Sequence, residues 1–358
     1  MTRLEVPVVI AVFNRPAKLK RLLGVLAEVR PDTLLFIADG PRPGHASDEA
    51  RVGEVRRLID SIPWSCRVLR LESPVNVGCD TWVPAGIDWA FEHVERAIVL
   101  EDDLIVHPGF FGWCAGLLAR YRDSTRLGCI SGRNALVRWA SAGSDHVLIH
   151  RGSNLGFATW RRAWQDARAV ELPGPDEAIA SQRACGSVDS AVAGHFEWLR
   201  ALCRAGIHLG WDTRWELQRA IKGMLSAVSA TNLVVHGGYD EEATHGGDPG
   251  GLQSVQPILE PLETGGQEPT APDHTLDRWS LYVALANVCR DPHMAVRLAR
   301  RPNLVIDSRT RHHLVPFAPH SDFRDALDHM HAAGCRSPAI DRMREALGAP
   351  AHAQDGSR

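Results

Sequence analysis

The sequence predicts an α/β protein built on a mostly parallel sheet with helices on both faces. Apolar, β-branched segments alternate with segments whose leucines, isoleucines and valines recur at helical spacing, and the strands read as continuous apolar runs. A further observation concerns polar residues: Asn14, Asp39 and Asp102 each stand just past the carboxyl end of a predicted strand, and Asn76 follows another. Ligands of open α/β sheets bind at that edge, although turns call for Asn and Asp on their own account.

Val6–Phe13 is the first predicted strand, and Asn14-Arg15-Pro16 leads into a helix with Leu19, Leu22, Leu23 and Leu26 on one face. Thr33–Ala38 is the second strand, Asp39-Gly40-Pro41 a turn, and Val52, Val55, Leu58, Ile59 and Ile62 the buried stripe of a second helix. Cys66–Leu71 is the third strand. After Asn76-Val77-Gly78 a helix runs through Ile87 and Phe91 to the strand Ala97–Leu100, which enters Glu101-Asp102-Asp103 directly. Beyond it the pattern loosens. Phe110–Tyr121 reads as helix, Leu127–Ile130 and Val147–Ile149 as strands, and further helices are expected after Trp160, over Ala178–Gly206 and over Trp211–Lys222. Asn232–His236 precedes a glycine-rich stretch to Gly251.

These boundaries divide the chain into a main α/β domain over 1–250, in two halves at about 1–105 and about 106–250. Residues 251–273, rich in Gly, Pro and Glu, form a linker or arm. A mainly helical carboxyl-terminal appendage over 274–348 and a disordered tail over 349–358 follow.

With 358 residues, 44% hydrophobic and 23% charged, the chain is long enough for a full core, which excludes disorder as its main state. Forty Lys+Arg against 43 Asp+Glu give a net charge of -3, without the single-sign excess of a nucleic-acid binder. No stretch approaches the apolar length of a membrane span, so an integral membrane protein is not expected, while peripheral association stays open. The short apolar run at the start reads as a strand, not a signal peptide. Eight cysteines without a CxxC pair point to reduced thiols and a cytoplasmic setting.

The sharpest chemical signal is Glu101-Asp102-Asp103. Three carboxylates at the mouth of a buried strand repel one another unless a cation is present, and hard oxygen donors suit Mn2+ or Mg2+ completed by substrate phosphate. An exposed loop of solvated charges is the alternative. Asp212, at the expected start of a helix, is either an N-cap or a carboxylate placed for proton transfer. His245, after Asp240-Glu241-Glu242, is either a metal ligand or leaving-group donor, or a surface histidine. Trp160, Trp164, Trp211 and Trp215 are core residues or stacking platforms for a ligand.

In VVIAVFNRPAKLKRLL (8–23), IADGPR (37–42), NVGC (76–79), IVLEDDLIVHPGFF (98–111), GFATWRRAW (156–164), WDTRW (211–215) and NLVVHGGYDEEATH (232–245), the chain resembles nucleotide-sugar glycosyltransferases of A-type fold. Within these it is similar to bacterial relatives of the inverting N-acetylglucosaminyltransferase I group. The resemblance spans about 240 residues and leaves the appendage outside. It implies transfer of a sugar from a nucleotide-diphosphate sugar, a UDP-sugar in preference, to an acceptor nucleophile, with Mn2+ or Mg2+ as cofactor. Phe13, Asn14, Arg15 and Asp39 would line base and ribose, and Asn76 with Gly78 would stand near ribose or diphosphate. Asp103 would hold the metal beside Glu101, Asp102 would contact ribose or metal-bound water, and Asp212 would be the general base. His236 falls where relatives tend to carry asparagine, and Phe157 replaces their tryptophan.

Three rivals differ in chemistry. A sugar nucleotidyltransferase would share the fold but opens with a glycine-rich loop after the first strand, where this chain has Phe13-Asn14-Arg15-Pro16. A non-catalytic nucleotide-sugar-binding relative would not need Asp103 and Asp212. A glycoside hydrolase has no use for a metal-poised triplet.

Overall fold

The computed structural model describes residues 3–139, 144–172, 208–237, 257–262, 268–289 and 320–334, with isolated positions at 192, 195, 196, 199, 200, 203, 341, 342, 344 and 345. The expected helix over Ala178–Gly206 lies almost wholly outside these residues, as do His245, the glycine-rich stretch beyond Gly237 and the tail.

The chain begins as three consecutive β–α units. β1 (Val8–Val12), α1 (Pro16–Val29), β2 (Thr33–Ala38), α2 (Ala46–Asp60), β3 (Arg67–Glu72), α3 (Cys79–His93) and β4 (Arg96–Glu101) follow one another. Then come β5 (Leu104–Val106), α4 (Gly109–Arg120), β6 (Leu127–Ser131), β7 (His146–Ile149), β8 (Phe157–Trp160) and α5 (Arg161–Arg168). α6 (Trp211–Ile221), β9 (Leu225–Ser229), β10 (Val234–His236), α7 (His274–Cys289) and α8 (His320–Ala332) complete the described elements.

Eight strands form one sheet in the order β3-β2-β1-β4-β8-β6-β9-β7. β1 lies parallel to both β2 and β4, and β2 parallel to β3. β8 runs antiparallel to β4 and β6, while β9 is parallel to β6 and antiparallel to β7. This is the α/β class with a mostly parallel, helix-flanked sheet that the sequence predicts. β1 is buried along its whole length, and Leu19, Leu22, Leu23 and Leu26 of α1 pack onto the sheet as their spacing requires. Pro16 opens α1 where a missing N–H costs no hydrogen bond. In α2, Val52, Val55 and Ile59 are buried and Leu58 is half-buried, whereas Ile62, expected on the same helix, lies beyond its end at Asp60.

The two sheet edges are protected differently. β3 presents Arg67, Arg70 and Glu72 on an exposed edge, a charge pattern that discourages strand addition. β7 is covered by the chain ahead of α7, through a bridge from Leu148 to Pro272 and a hydrogen bond from the Asp273 N–H to the Leu148 carbonyl.

β8 and β9 depart from the sequence reading, which places no strand at either. Phe157–Trp160 sits inside a motif whose arginines point to the helix that follows, and Leu225–Ser229 is a five-residue run with two serines. Both are wholly buried, so their strand character comes from neighbours on each side and not from alternation of their own.

Strand order reverses beside β1: β2 and β3 lie on one side, β4 on the other. That reversal opens a crevice past the carboxyl ends of β1 and β4, the place where such sheets bind ligands.

Candidate active site

Phe13, Asn14 and Arg15 bridge β1 and α1 at this crevice, and Glu101, Asp102 and Asp103 lie beside them at the end of β4. The two loops are stitched together. The Asp102 N–H donates to the Ala11 carbonyl at 3.0 Å, and the Phe13 N–H returns a bond to Asp102 Oδ2 at 3.1 Å. Arg15 Nη1 reaches Asp102 Oδ1 at 3.2 Å and Asp103 Oδ2 at 2.7 Å. Asp102 and Asp103 are both buried, and Asp103 Oδ1 is buried with no hydrogen-bond partner.

The triplet is electrostatically strained. Burial, then Asp103, Asp212 and Asp102, push the Glu101 carboxyl up to about 8, with Arg15 opposing. Burial also pushes Asp102 up to about 6; Arg15 pulls it down and Asp103 raises it again. Carboxylates driven toward the protonated form at a strand mouth are ones that a cation would restore to charge.

β5 follows the triplet at once and pairs antiparallel with β10, setting His236 opposite Leu104. His236 Nε2 thereby stands 3.6 Å from Asp103 Oδ2, and the Gly237 N–H donates to the Asp103 carbonyl at 2.8 Å. Burial lowers the His236 proton affinity, Asp103 raises it, and Arg133, Arg15 and Lys18 lower it further, leaving a neutral imidazole. The sequence places this residue in the 232–245 motif but gives no sign of its partner, because a three-residue strand meeting another across the chain is legible only once both are paired.

The third and fourth polar positions form one clamp. Asp39 Oδ1 accepts the N–H groups of Gly40 and Val77, each at 2.8 Å, while Oδ2 accepts Asn76 Nδ2 at 2.9 Å and the Gly78 N–H at 3.0 Å. Four donors occupy both oxygens, so Asp39 holds the turn after β2 against the loop before α3. Gly40 lies so near that loop that a Cβ on it would stand 2.5 Å from the Val75 nitrogen. Gly78, at φ +89°, caps α3.

Asn14 turns away from the triplet and donates to Asp48 Oδ1 at 2.7 Å. Asp48, buried in the first turn of α2, also takes Arg42 Nε at 2.6 Å and Nη2 at 3.0 Å, and Arg42 lies 5.5 Å from the Phe13 ring centroid. The Arg42 bond is the chief cause that holds the Asp48 carboxyl well below the usual carboxylate range. Asp48 had no sequence signal, since an acid in a first helical turn normally faces solvent.

Asp212 is not the N-cap of α6: Gly210 is, and Asp212 stands in the first turn. Its Oδ1 accepts the Thr213 N–H at 2.7 Å, and the Trp211 N–H is taken instead by Asp80 Oδ1 of α3 at 2.9 Å. The side chain opens to solvent. Surrounding protein nevertheless raises its proton affinity, the Thr213 N–H opposes this, and Glu216 and Asp80 add to it. Its charge also raises Glu101, which brings α6 and the triplet into one electrostatic site.

The four tryptophans are core residues. Trp164 packs at 5.0 Å and Phe157 at 4.9 Å from the Trp215 ring centroid, and Trp160 and Trp211 are buried as well. Among the described residues Cys66, Cys114 and Cys129 are free thiols, and no helix is long and apolar enough to cross a membrane.

Among the described residues no three His, Cys, Asp or Glu side chains form a ready cation cage. Mn2+ or Mg2+ does not require one, because it is commonly held by one or two carboxylates with substrate phosphates and water. The partnerless Asp103 Oδ1, a hard oxygen donor in the crevice, fits that arrangement.

Sequence comparison finds no matching family model, and no curated protein matches either. Solved structures do align. A mannosyltransferase from Pyrobaculum calidifontis, in complex with GDP-Man and Mn2+, is 12% identical, covering 97% of this chain and 86% of its own at a TM-score of 0.39. A UDP-glucose pyrophosphorylase complexed with UDP-glucose is 11% identical over 49% of this chain and 83% of its own, with a TM-score of 0.31. The inositol-1-phosphate CTP transferase from T. maritima is 8% identical over 64% and 86%, also at 0.31. These likenesses are loose, and the chemistry of the site rests on its own side chains.

Proposed function

We propose that the protein is a metal-assisted, inverting glycosyltransferase that moves a sugar from a nucleotide-diphosphate sugar, a UDP-sugar in preference, to an acceptor nucleophile. The observation that carries this reading is the meeting of three groups at the strand-order reversal: the β1 loop, the acidic triplet, and Asp212 within electrostatic reach of Glu101. Phe13, with Arg42 beside it, offers a face for the base. The Asp39 clamp shapes the ribose side of the pocket and fixes Asn76 and Gly78.

Asp103 and Glu101 would hold Mn2+ or Mg2+, with His236 as a neutral neighbour; the ion supplies charge neutralisation on the departing diphosphate. Asp102, fixed by the Phe13 N–H and Arg15, keeps that loop in register. Asp212 takes the acceptor proton on its carboxylate as the nucleophile attacks opposite the leaving group. A proton affinity above that of a free aspartate makes it a better base. His245 is a further candidate ligand in this reading.

The experiment is incubation with UDP-sugars and Mn2+, with and without candidate acceptors. Release of UDP with an inverted anomeric product supports the transferase. Pyrophosphate formed from UTP and a sugar phosphate identifies a nucleotidyltransferase and overturns the reading.

A further inference from the structure

The carboxyl-terminal segment is joined to the site by a continuous set of bonds. Asp273 stands just ahead of α7. Its Oδ1 accepts the Leu276 N–H at 2.9 Å, as an N-cap does, and its Oδ2 accepts Trp139 Nε1–H at 2.7 Å. Trp139 meets Trp279 edge-on at 5.4 Å.

One turn into α7, Asp277 is fully buried among donors that belong to the other part of the chain. It takes the His150 N–H at 2.9 Å, the Arg151 N–H at 3.0 Å and His150 Nδ1 at 2.8 Å. A buried carboxylate with three such bonds is costly to leave unsatisfied, so the backbone at 150–151 is tightly located.

That segment in turn holds α6 at three points. Arg151 Nε pairs with Glu216 Oε1 at 2.8 Å, with both side chains nearly buried. Asn154 Nδ2 donates to the Asp212 carbonyl at 2.7 Å, and Asn154 Oδ1 accepts Arg219 Nη2 at 3.1 Å. Glu216 lies one helical turn beyond Asp212, on the same face.

We propose that α7 is a working part of the transferase: Asp277 fixes the 150–154 loop, and Arg151 and Asn154 of that loop set the position and the charge surroundings of Asp212. The proposal rests on the reading of Asp212 as the base. Asp277, Arg151, Asn154 and Glu216 are positioning residues, since none reaches the reacting atoms. Negative charge on Glu216 favours protonation of Asp212, and Arg151 offsets that charge. Among the described residues the other charged groups facing Asp212 are Asp80 of α3, which His208 approaches at 3.2 Å, and Glu101 of β4. They are unchanged in the variants below.

The test is titration of the full chain carrying [13Cγ]aspartate, followed by NMR, with the Asp212 signal assigned by its loss in Asp212→Asn. Glu216→Gln is expected to move the Asp212 midpoint to lower pH, and Arg151→Gln and Asp277→Asn to move it to higher pH. Arg151→Lys, which keeps the charge, returns it toward the wild-type value. General loosening of the structure does not shift one variant down and two up. Melting curves identify any variant that fails to fold, and if Asp277→Asn does, Arg151→Gln against Glu216→Gln decides. An unchanged midpoint in the folded variants overturns the proposal and leaves the base reading intact. Near-normal UDP release by Asp212→Asn overturns the base reading instead, whatever the titrations give.

Discussion

Asp103 has one carboxylate oxygen paired with Arg15 and the other buried without a partner, an arrangement that a bound cation would complete. Asp103→Ala is therefore expected to abolish the Mn2+-dependent part of UDP-sugar binding while leaving metal-free binding nearly unchanged. Calorimetry with and without EDTA measures both, and equal Mn2+ enhancement in the variant would remove Asp103 from the site. Asp212 makes a different kind of test possible, because the N-cap of α6 is Gly210 and the Thr213 N–H can still be accepted by an amide oxygen. Asp212→Asn is expected to fold and bind donor normally while turnover falls by about 10²–10⁴-fold, the usual range for a general base. Turnover within a factor of a few of wild type, or a product with retained anomeric configuration, counts against the assignment.

At the scale of elements, the site depends on loops that hold one another. Asp39 joins two crossovers, and Gly40 permits their approach because the atoms a Cβ would meet are Val75 backbone, which cannot rotate aside. Gly40→Ala should cost about 1–3 kcal/mol in denaturant unfolding, as overpacking generally does, and weaken nucleotide-sugar binding at the same time. Stability within a few tenths of a kcal/mol of wild type would mean that the clamp yields more easily than its bonds imply. The Asn14–Asp48–Arg42 cluster makes a separate statement about acid. A carboxyl held below its unfolded value contributes stability that is present above about pH 4 and is lost as pH falls through its folded value. Asp48→Asn should flatten the acid limb of the stability profile below that pH, and an unaltered limb would show that other carboxylates set it.

These elements were unequally legible in the sequence. β1, β2 and β4 announced themselves through unbroken apolar runs, and the polar residues closing them stood where the crevice opens. The identity of each acid's partner was not legible. Asp48 carries no sequence signal, and its burial depends on Arg42 folding back over it. His236 reaches Asp103 only because β10 pairs with β5, a contact between segments about 130 residues apart, which no local pattern encodes. Asp39 is legible as a polar residue closing a strand, but its four donors come from two loops whose approach is tertiary.

For the whole molecule, the strained triplet should appear as a pH dependence of stability. The net charge of -3 is too small for general repulsion to dominate near neutrality, so a local source stands out. Glu101 and Asp102 are pushed up to about 8 and about 6, so the folded state binds more protons than the unfolded chain between their unfolded values, near pH 4, and those values. Stability from such groups is fully present below the unfolded value and is lost as pH rises through the folded one. The metal-free protein is expected to melt at a lower temperature at pH 8.5 than at pH 6, with the decline ending once Glu101 is ionised. A divalent cation acts in the opposite sense. It binds the ionised carboxylates and competes with protons, so the melting gain from Mg2+ with a UDP-sugar should grow with pH over the same interval. Mg2+ serves better than Mn2+ here because it does not oxidise in alkaline buffer. Glu101→Gln removes the group with the larger shift and should flatten the metal-free decline without touching the acid limb set by Asp48. Equal metal-free melting at pH 6 and pH 8.5 would show that solvent or Arg15 already relieves the triplet, and a gain from Mg2+ that is constant with pH would show that the ion binds elsewhere.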